Sequence, residues 1–135
     1  MRTSSVLLYT LRGLAAEIAK NIVLAGVGTV TLLDDQDVSG EDLGANFFLR
    51  EDDVGKKVRR EERMRGGREL TRGQRVEAAA LRIQALNPRV NVIARTEARL
   101  LEDEDFLKTF DLIVLTEADA PTLVRSGACW QSGKG

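Results

Sequence analysis

Short apolar runs recur along this sequence, separated by longer stretches in which apolar residues return with a helical period. The runs are continuous and about five residues long, which is typical of strands buried on both faces of a parallel sheet. They predict strands at Ser5–Tyr9, Thr29–Leu33, Val90–Ala94 and Asp111–Leu115.

The first two strands enclose a predicted helix. Leu14, Ile18 and Ile22 recur every four residues and form one apolar face, with Val23 and Ala15 beside them. Gly26 stands where a helix commonly ends in a left-handed residue. A strand, a helix and a strand within about 30 residues make a βαβ unit, whose crossover is expected to be right-handed.

Helical periodicity returns after a long polar segment. It predicts a helix over Val76–Leu86, which Pro88 ends, and a short acidic helix over Leu101–Phe110. The apolar face of the first of these consists of Val76, Ala79, Ala80, Ile83 and Leu86. Strands alternating with helices predict an α/β fold, a Rossmann-like doubly wound parallel sheet. Four strands are too few for the whole sheet, so we expect only the N-terminal portion of an incomplete domain.

The composition of the chain limits which metal sites, catalytic groups and charged partners it can have. The chain has 135 residues, a net charge of −1, a single cysteine and no histidine. It offers no general electrostatic field for nucleic acid or membrane, and no apolar run approaches the length of a membrane span. The lack of histidine disfavours zinc and copper sites and excludes histidine-based acid–base catalysis. We therefore predict no metal ligands in this chain.

The turn after the first strand is the place where a Rossmann-like fold binds a dinucleotide. Such a turn reads G-x-G-x-x-G, and the three glycine positions here hold Thr10, Arg12 and Ala15. Ala15 can nearly replace the third glycine, which lets helix pack on strand. Arg12 cannot replace the second, because its side chain stands where a phosphate would approach the backbone. The sequence favours a retained scaffold with a closed site over a site in which the guanidinium grips phosphate.

An acidic residue at the end of the second strand commonly binds the ribose hydroxyls of a nucleotide. Asp34 stands at this position, about 20 residues after Gly13. Acidic residues are also common in loops that follow strands, so Asp34 alone is weak support for a nucleotide site.

Several stretches carry a specific resemblance. They are "RGLAAEIAKNIVLAGVGTVTLLDDQDV", "DLGANFFLREDDVGK", "RIQALNPRV" and "FDLIVLTEAD", in this order along most of the chain. Together they resemble the adenylation fold of the ubiquitin-like-protein activating enzymes, the ThiF/MoeB superfamily, and within it the small subunits of heterodimeric SUMO-activating enzymes. In this family one half of a pseudo-symmetric pair binds ATP and Mg²⁺, and the other half keeps the fold with a decayed site.

Position by position, the sequence resembles the decayed half. Active halves carry G-x-G-G-x-G at the turn, D-x-D after the second strand, S-N-L-N-R-Q in the next loop, and a lysine before the "LNP" helix. The positions of this degenerate nucleotide site are Thr10, Arg12, Gly13, Ala15 and Asp34, of which Asp34 keeps the first acid of D-x-D. Further departures are Gln36, the run Glu41–Asn46, Arg75, and Ala118 opposite the magnesium aspartate. The resemblance therefore implies a subunit with no catalytic residues and no intact cofactor site.

The resemblance also implies partners and a location. The catalytic subunit of a heterodimer would bind ATP and Mg²⁺, and the SUMO-like modifier would be reached through the complex, in the nucleus and cytoplasm. No cofactor, nucleic acid or membrane is expected for this chain itself. Cys129 does not correspond to the family's thioester cysteine, which belongs to the other subunit, and we interpret it as a free surface thiol.

The resemblance to the ThiF/MoeB superfamily also implies a domain organisation. Residues 1–125 are predicted to form a truncated ThiF-type domain, and residues 126–135 an unstructured tail. The arginine-rich segment 58–74 interrupts the family pattern and is interpreted as an insertion. An intron translated in frame is the favoured explanation; a nuclear-localisation or nucleic-acid patch and a solvated loop are the alternatives.

Two rival functions remain open from the sequence. One is a nicotinamide-dependent oxidoreductase on the same fold, which would need a working glycine turn and a Tyr/Lys or His catalytic group. Tyr9 lies inside a strand and histidine is absent. The other is an inactive fragment that arises from an error in the gene model.

Overall fold

A computed structural model describes residues 3–36, 40–50, 75–118 and 120–132. The strands are β1 (Ser5–Tyr9), β2 (Thr29–Leu33), β3 (Asn91–Arg95) and β4 (Leu112–Leu115). They form one parallel sheet in the order β3-β2-β1-β4. The predicted α/β fold with a doubly wound parallel sheet is confirmed, and each strand begins within one residue of its predicted start.

Helices connect the strands. They are α1 (Gly13–Ala25), α2 (Gly40–Ala45), α3 (Arg75–Leu86), α4 (Glu104–Lys108) and α5 (Ala120–Ser132), with a 3₁₀ helix at Ala98–Glu102. Successive residues of a strand point to opposite faces of the sheet. Leu8 of β1 accordingly packs in a core with α1 and α3, whereas Leu7 packs in a second core with the 3₁₀ helix and α4. Both faces of β1 and β2 are covered, which explains why the central residues of these strands are mostly apolar on both faces.

Helix α1 forms where it was predicted, but the prediction of its buried face is wrong at one position. Leu14 is 66% exposed, and the fully buried residues of α1 are Ala15, Ala16, Ala19 and Val23. Small side chains let the helix axis lie close to the sheet, so packing selects the alanine face rather than the one with the longest side chains. Gly26 has φ 82° and donates its N–H to the Val23 carbonyl at 3.1 Å, as predicted for a helix end.

The predicted acidic helix over Leu101–Phe110 is divided in the structure. A 3₁₀ helix ends at Glu102, and α4 begins at Glu104. Asp103 has extended backbone between them, and its side chain accepts the Phe106 N–H at 3.2 Å. An N-cap residue must leave the helical conformation to make this hydrogen bond, so Asp103 starts a new helix.

The prediction of an unstructured tail is wrong for residues 126–132. They continue α5, which packs against α4 and the 3₁₀ helix, and the Arg125 guanidinium pairs with the Glu102 carboxylate at 2.7 Å. Residues 126–132 are thus helical despite the weak helix propensity of serine and glycine in this segment. Residues 133–135, like the predicted insertion at 58–74, lie outside the described residues.

The structure differs from the sequence prediction at the end of α3 and in the loop after β2. Helix α3 buries Val76, Ala79 and Ile83, whereas Leu86, at its end, is exposed. The loop after β2 contains α2, which the sequence did not predict. In the part of the chain that the structure describes, no helix is long and apolar enough to cross a membrane.

Candidate functional site

The chain reverses its winding direction between β1 and β4. It passes from β1 to β2 and β3 on one side and then crosses back to place β4 against the other side of β1. In open α/β sheets, ligands bind beyond the carboxyl ends of the strands at such a switch point. We call this region the carboxyl-end site. It comprises Thr10–Arg12, Asp34–Gln36, Arg75 and Thr116–Glu117.

Thr10 makes the tight turn at the end of β1. Its φ is 62°, a left-handed conformation that favours glycine, and its carbonyl accepts the Arg12 N–H at 2.9 Å. From the neighbouring strand end, the Thr116 hydroxyl lies 2.9 Å from the carbonyls of both Tyr9 and Thr10. Thr10 therefore occupies the first glycine position in the conformation of a glycine, with Thr116 holding its carbonyl.

Replacing Thr10 with glycine is expected to stabilise the protein by about 1 kcal/mol. A left-handed conformation costs a residue with a Cβ about 1–2 kcal/mol, and glycine's greater freedom in the unfolded chain cancels part of this gain. Urea denaturation measures the change. Thr29→Gly, in extended β2, is the matched control and should destabilise by about 0.5–1 kcal/mol. A loss of stability in Thr10→Gly equal to that of the control would contradict the strain at Thr10.

Arg12, at the second glycine position, immediately precedes α1. Its guanidinium pairs with the Glu117 carboxylate at 3.1 Å, and both side chains are about half exposed. Glu117 also has a left-handed backbone, with φ 55°. This ion pair joins the segments after β1 and β4 across the switch point. Gly13 begins α1, and Ala15, at the third glycine position, is fully buried.

Asp34 lies at the centre of the carboxyl-end site and is only 1% exposed. Its carboxylate accepts the N–H of Leu11 at 2.7 Å and the N–H of Gln36 at 2.9 Å. The same carboxylate pairs with the Arg75 guanidinium at 3.2 Å. Burial raises the pKa of Asp34 above its ordinary value, although the Gln36 N–H, the Arg75 charge and the Leu11 N–H all lower it. Loss of hydration is thus the largest influence on this carboxyl group.

Arg75 is held by its backbone as well as by its side chain. It is the first residue of α3 and is 3% exposed, and its N–H donates to the Gln36 carbonyl at 2.9 Å. The sequence marked Asp34 as the retained first acid of the family's D-x-D and Arg75 as a departure from the family pattern, and it missed their pairing. Their opposite charges were the available signal, but 41 positions separate them, so only the fold brings them together.

Asn46 is another buried polar residue of this region. The sequence named it only as the last residue of the run Glu41–Asn46 and did not predict its contacts. Its side-chain amide donates to the Leu11 carbonyl at 2.9 Å and accepts the Phe48 N–H at 3.1 Å. Because Asp34 takes the Leu11 N–H, side chains occupy both polar groups of the Leu11 backbone. In a working dinucleotide turn, exposed N–H groups at this point face phosphate. Here the Leu11 N–H is used internally.

Other predicted positions lie around the carboxyl-end site. Glu41 is exposed on α2, and Ala118 is partly buried after β4; the side chain of Asp42 and all of Asp119 are outside the described residues. Among the residues with described positions, no group of three or more histidine, cysteine, aspartate or glutamate side chains is arranged to hold a metal ion. The site is composed of salt bridges and backbone hydrogen bonds. The charged side chains of Arg12 and Glu117 pair with each other, as do those of Asp34 and Arg75.

Comparison with known proteins agrees with this architecture. SUMO-activating enzyme subunit 1 of Xenopus laevis is 40% identical over 125 residues, which are 93% of this chain and 31% of that protein. The Homo sapiens protein of the same name is 39% identical over the same shares. The chain thus spans about a third of the length of these curated relatives.

Among solved structures, the fold is similar to that of the E. coli tRNA N6-threonylcarbamoyladenosine dehydratase TcdA in complex with AMP. The TM-score is 0.72 at 16% identity, over 97% of this chain and 48% of that chain. At this identity the similarity concerns the fold alone. The model of the ThiF family matches residues 1–133. With its parallel sheet and its relatives, the chain belongs to the ThiF family.

Proposed function

We propose that this chain is part of the non-catalytic subunit of a heterodimeric ubiquitin-like modifier activating enzyme. It supports the ATP-dependent adenylation and thioester transfer of a SUMO-type modifier by its partner, which binds the ATP and Mg²⁺. The names of its relatives support this assignment, because each of these proteins is named subunit 1 of a SUMO-activating enzyme.

One observation carries the non-catalytic part of the proposal. The Asp34 carboxylate, which would bind ribose in a working site, is buried against the Arg75 guanidinium and two backbone N–H groups. A nucleotide would have to displace a charged, hydrogen-bonded partner to reach it. The Arg12 side chain stands beside the same turn, paired with Glu117. These contacts support a site that is closed by the chain's own residues.

The surface of the layer that covers one face of the sheet supports an obligate partner. Leu14 and Leu24 of α1, Phe47 in the loop before α3, and Leu81 of α3 are each more than half exposed. Single exposed apolar residues are ordinary on a protein surface, whereas several on one layer favour an interaction surface. A non-catalytic subunit would use such a surface to bind its catalytic partner.

Titration of the chain with ATP·Mg²⁺ in a calorimeter is expected to show no measurable binding. In the closed site a nucleotide would lack several charge-assisted contacts, each worth about 1.5–3 kcal/mol. Their loss would raise a micromolar Kd above the millimolar range. The catalytic partner alone should bind ATP, and the reconstituted complex should bind a single nucleotide per heterodimer. Asp34→Ala should leave the absence of binding unchanged.

The control is Glu97→Ala, which removes an exposed carboxylate that is not among the residues of the carboxyl-end site. Micromolar ATP affinity of the chain itself, weakened by Asp34→Ala and not by Glu97→Ala, would overturn the proposal. It would place a working nucleotide site at Asp34.

A further inference from the structure

The Asp34–Arg75 pair joins three segments of the chain at the carboxyl ends of the strands. Through its carboxylate, Asp34 contacts the turn after β1 at the Leu11 N–H and the segment after β2 at the Gln36 N–H. Through Arg75 it also contacts the start of α3, at 3.2 Å. The carboxylate thus connects three segments of the carboxyl-end site, and the guanidinium supplies its positive counter-charge.

We propose that Arg75 is a resident cation that closes the carboxyl-end site and takes the place of a bound ligand at Asp34. The site then stays ordered without nucleotide. This inference rests on the proposed function, since it describes how the non-catalytic site is kept closed.

The chemistry of the pair explains why an arginine suits this role. A guanidinium is less strongly hydrated than an ammonium group, so it is buried more readily, and its planar array of N–H groups matches a carboxylate. Both side chains are almost completely buried, and bulk water screens their attraction little. The backbone of Arg75 is fixed independently by its hydrogen bond to the Gln36 carbonyl. Removal of the side chain would therefore leave a cavity lined by the Asp34 carboxylate, of a size and charge that fit free guanidinium ion.

The test is chemical rescue of Arg75→Ala in the full chain. Guanidinium chloride, at tens of millimolar and far below denaturing concentration, is compared with sodium chloride at the same ionic strength. We expect guanidinium to raise the Tm of Arg75→Ala by several degrees over sodium, because a ligand that binds only the native state stabilises it. Wild type and Arg89→Ala, which removes an exposed arginine, should show no such difference.

Hydrogen exchange supplies a local measurement. The amides of Leu11 and Gln36 donate to Asp34, so their exchange should be about tenfold faster or more in Arg75→Ala and should slow when guanidinium is added. If Arg75→Ala does not fold, the comparison is made on the yield of refolding, which should rise with guanidinium and not with sodium.

Equal effects of the two salts on Arg75→Ala, with unchanged exchange at Leu11 and Gln36, would overturn the inference and leave the proposed function intact. A rise in the Tm of the wild-type chain on addition of ATP·Mg²⁺ would instead contradict the proposed function. The two failures are therefore distinguishable.

Discussion

Arg75→Met is expected to lower the free energy of unfolding by about 3–5 kcal/mol, the range seen when one member of a buried ion pair is removed. Methionine has a similar length and fills most of the volume, so the loss comes mainly from the Asp34 carboxylate, which stays buried without its cation. Chemical denaturation followed by circular dichroism measures the change.

The loss in Arg75→Met should depend on pH. Burial already raises the pKa of Asp34 from its ordinary value of 3.8, and removing the Arg75 charge raises it further. A carboxyl group whose pKa is higher in the folded state binds a proton on folding, so the folded state loses stability as pH rises from 3.8 through the folded-state pKa. Because the folded-state pKa of Asp34 is higher in the variant, the pH range over which stability is lost is wider than in wild type. The difference from wild type should therefore be smallest in acid, where Asp34 is neutral, and largest at neutral pH.

Arg89→Met is the matched control, because Arg89 is exposed in the turn between α3 and β3. Its effect should stay within about 0.5 kcal/mol at every pH. A cost for Arg75→Met no larger than that of this control, or one that grows as pH falls, would contradict the role given to the buried pair.

Asn46→Ala is expected to destabilise the fold by about 2–4 kcal/mol. The buried Asn46 amide satisfies the Leu11 carbonyl and the Phe48 N–H, and alanine would leave both backbone groups without this partner. A buried polar group that loses its hydrogen bond costs about 1–3 kcal/mol. The measurement is again denaturant unfolding, with exchange of the Phe48 amide as a local probe that should become faster.

Asn21→Ala provides the comparison, since Asn21 is exposed on α1. Alanine has the higher helix propensity, so this change should be neutral or should stabilise by a few tenths of a kcal/mol. Asn46→Ala with the same small effect, and with unaltered exchange at Phe48, would show that the amide does not hold this turn.

The sequence by itself determined the fold class. Continuous apolar runs predict strands buried on both faces, and in the structure the two cores lie on opposite sides of β1 and β2. Gly26 marked the end of α1 because few other residues adopt its left-handed φ without strain. These predictions succeeded because each depends on neighbouring residues along the chain.

The tertiary structure alone decided which polar groups meet and which faces are buried. Asp34, Arg75 and Asn46 are distant in sequence, and only the winding of the chain around the sheet brings them to one turn. Packing also decided that α1 buries its alanines rather than Leu14. The sequence predicted which residues replace those of a nucleotide site. It could not predict that those residues bind one another, because ion pairs and hydrogen bonds between distant residues depend on distances that the fold alone sets.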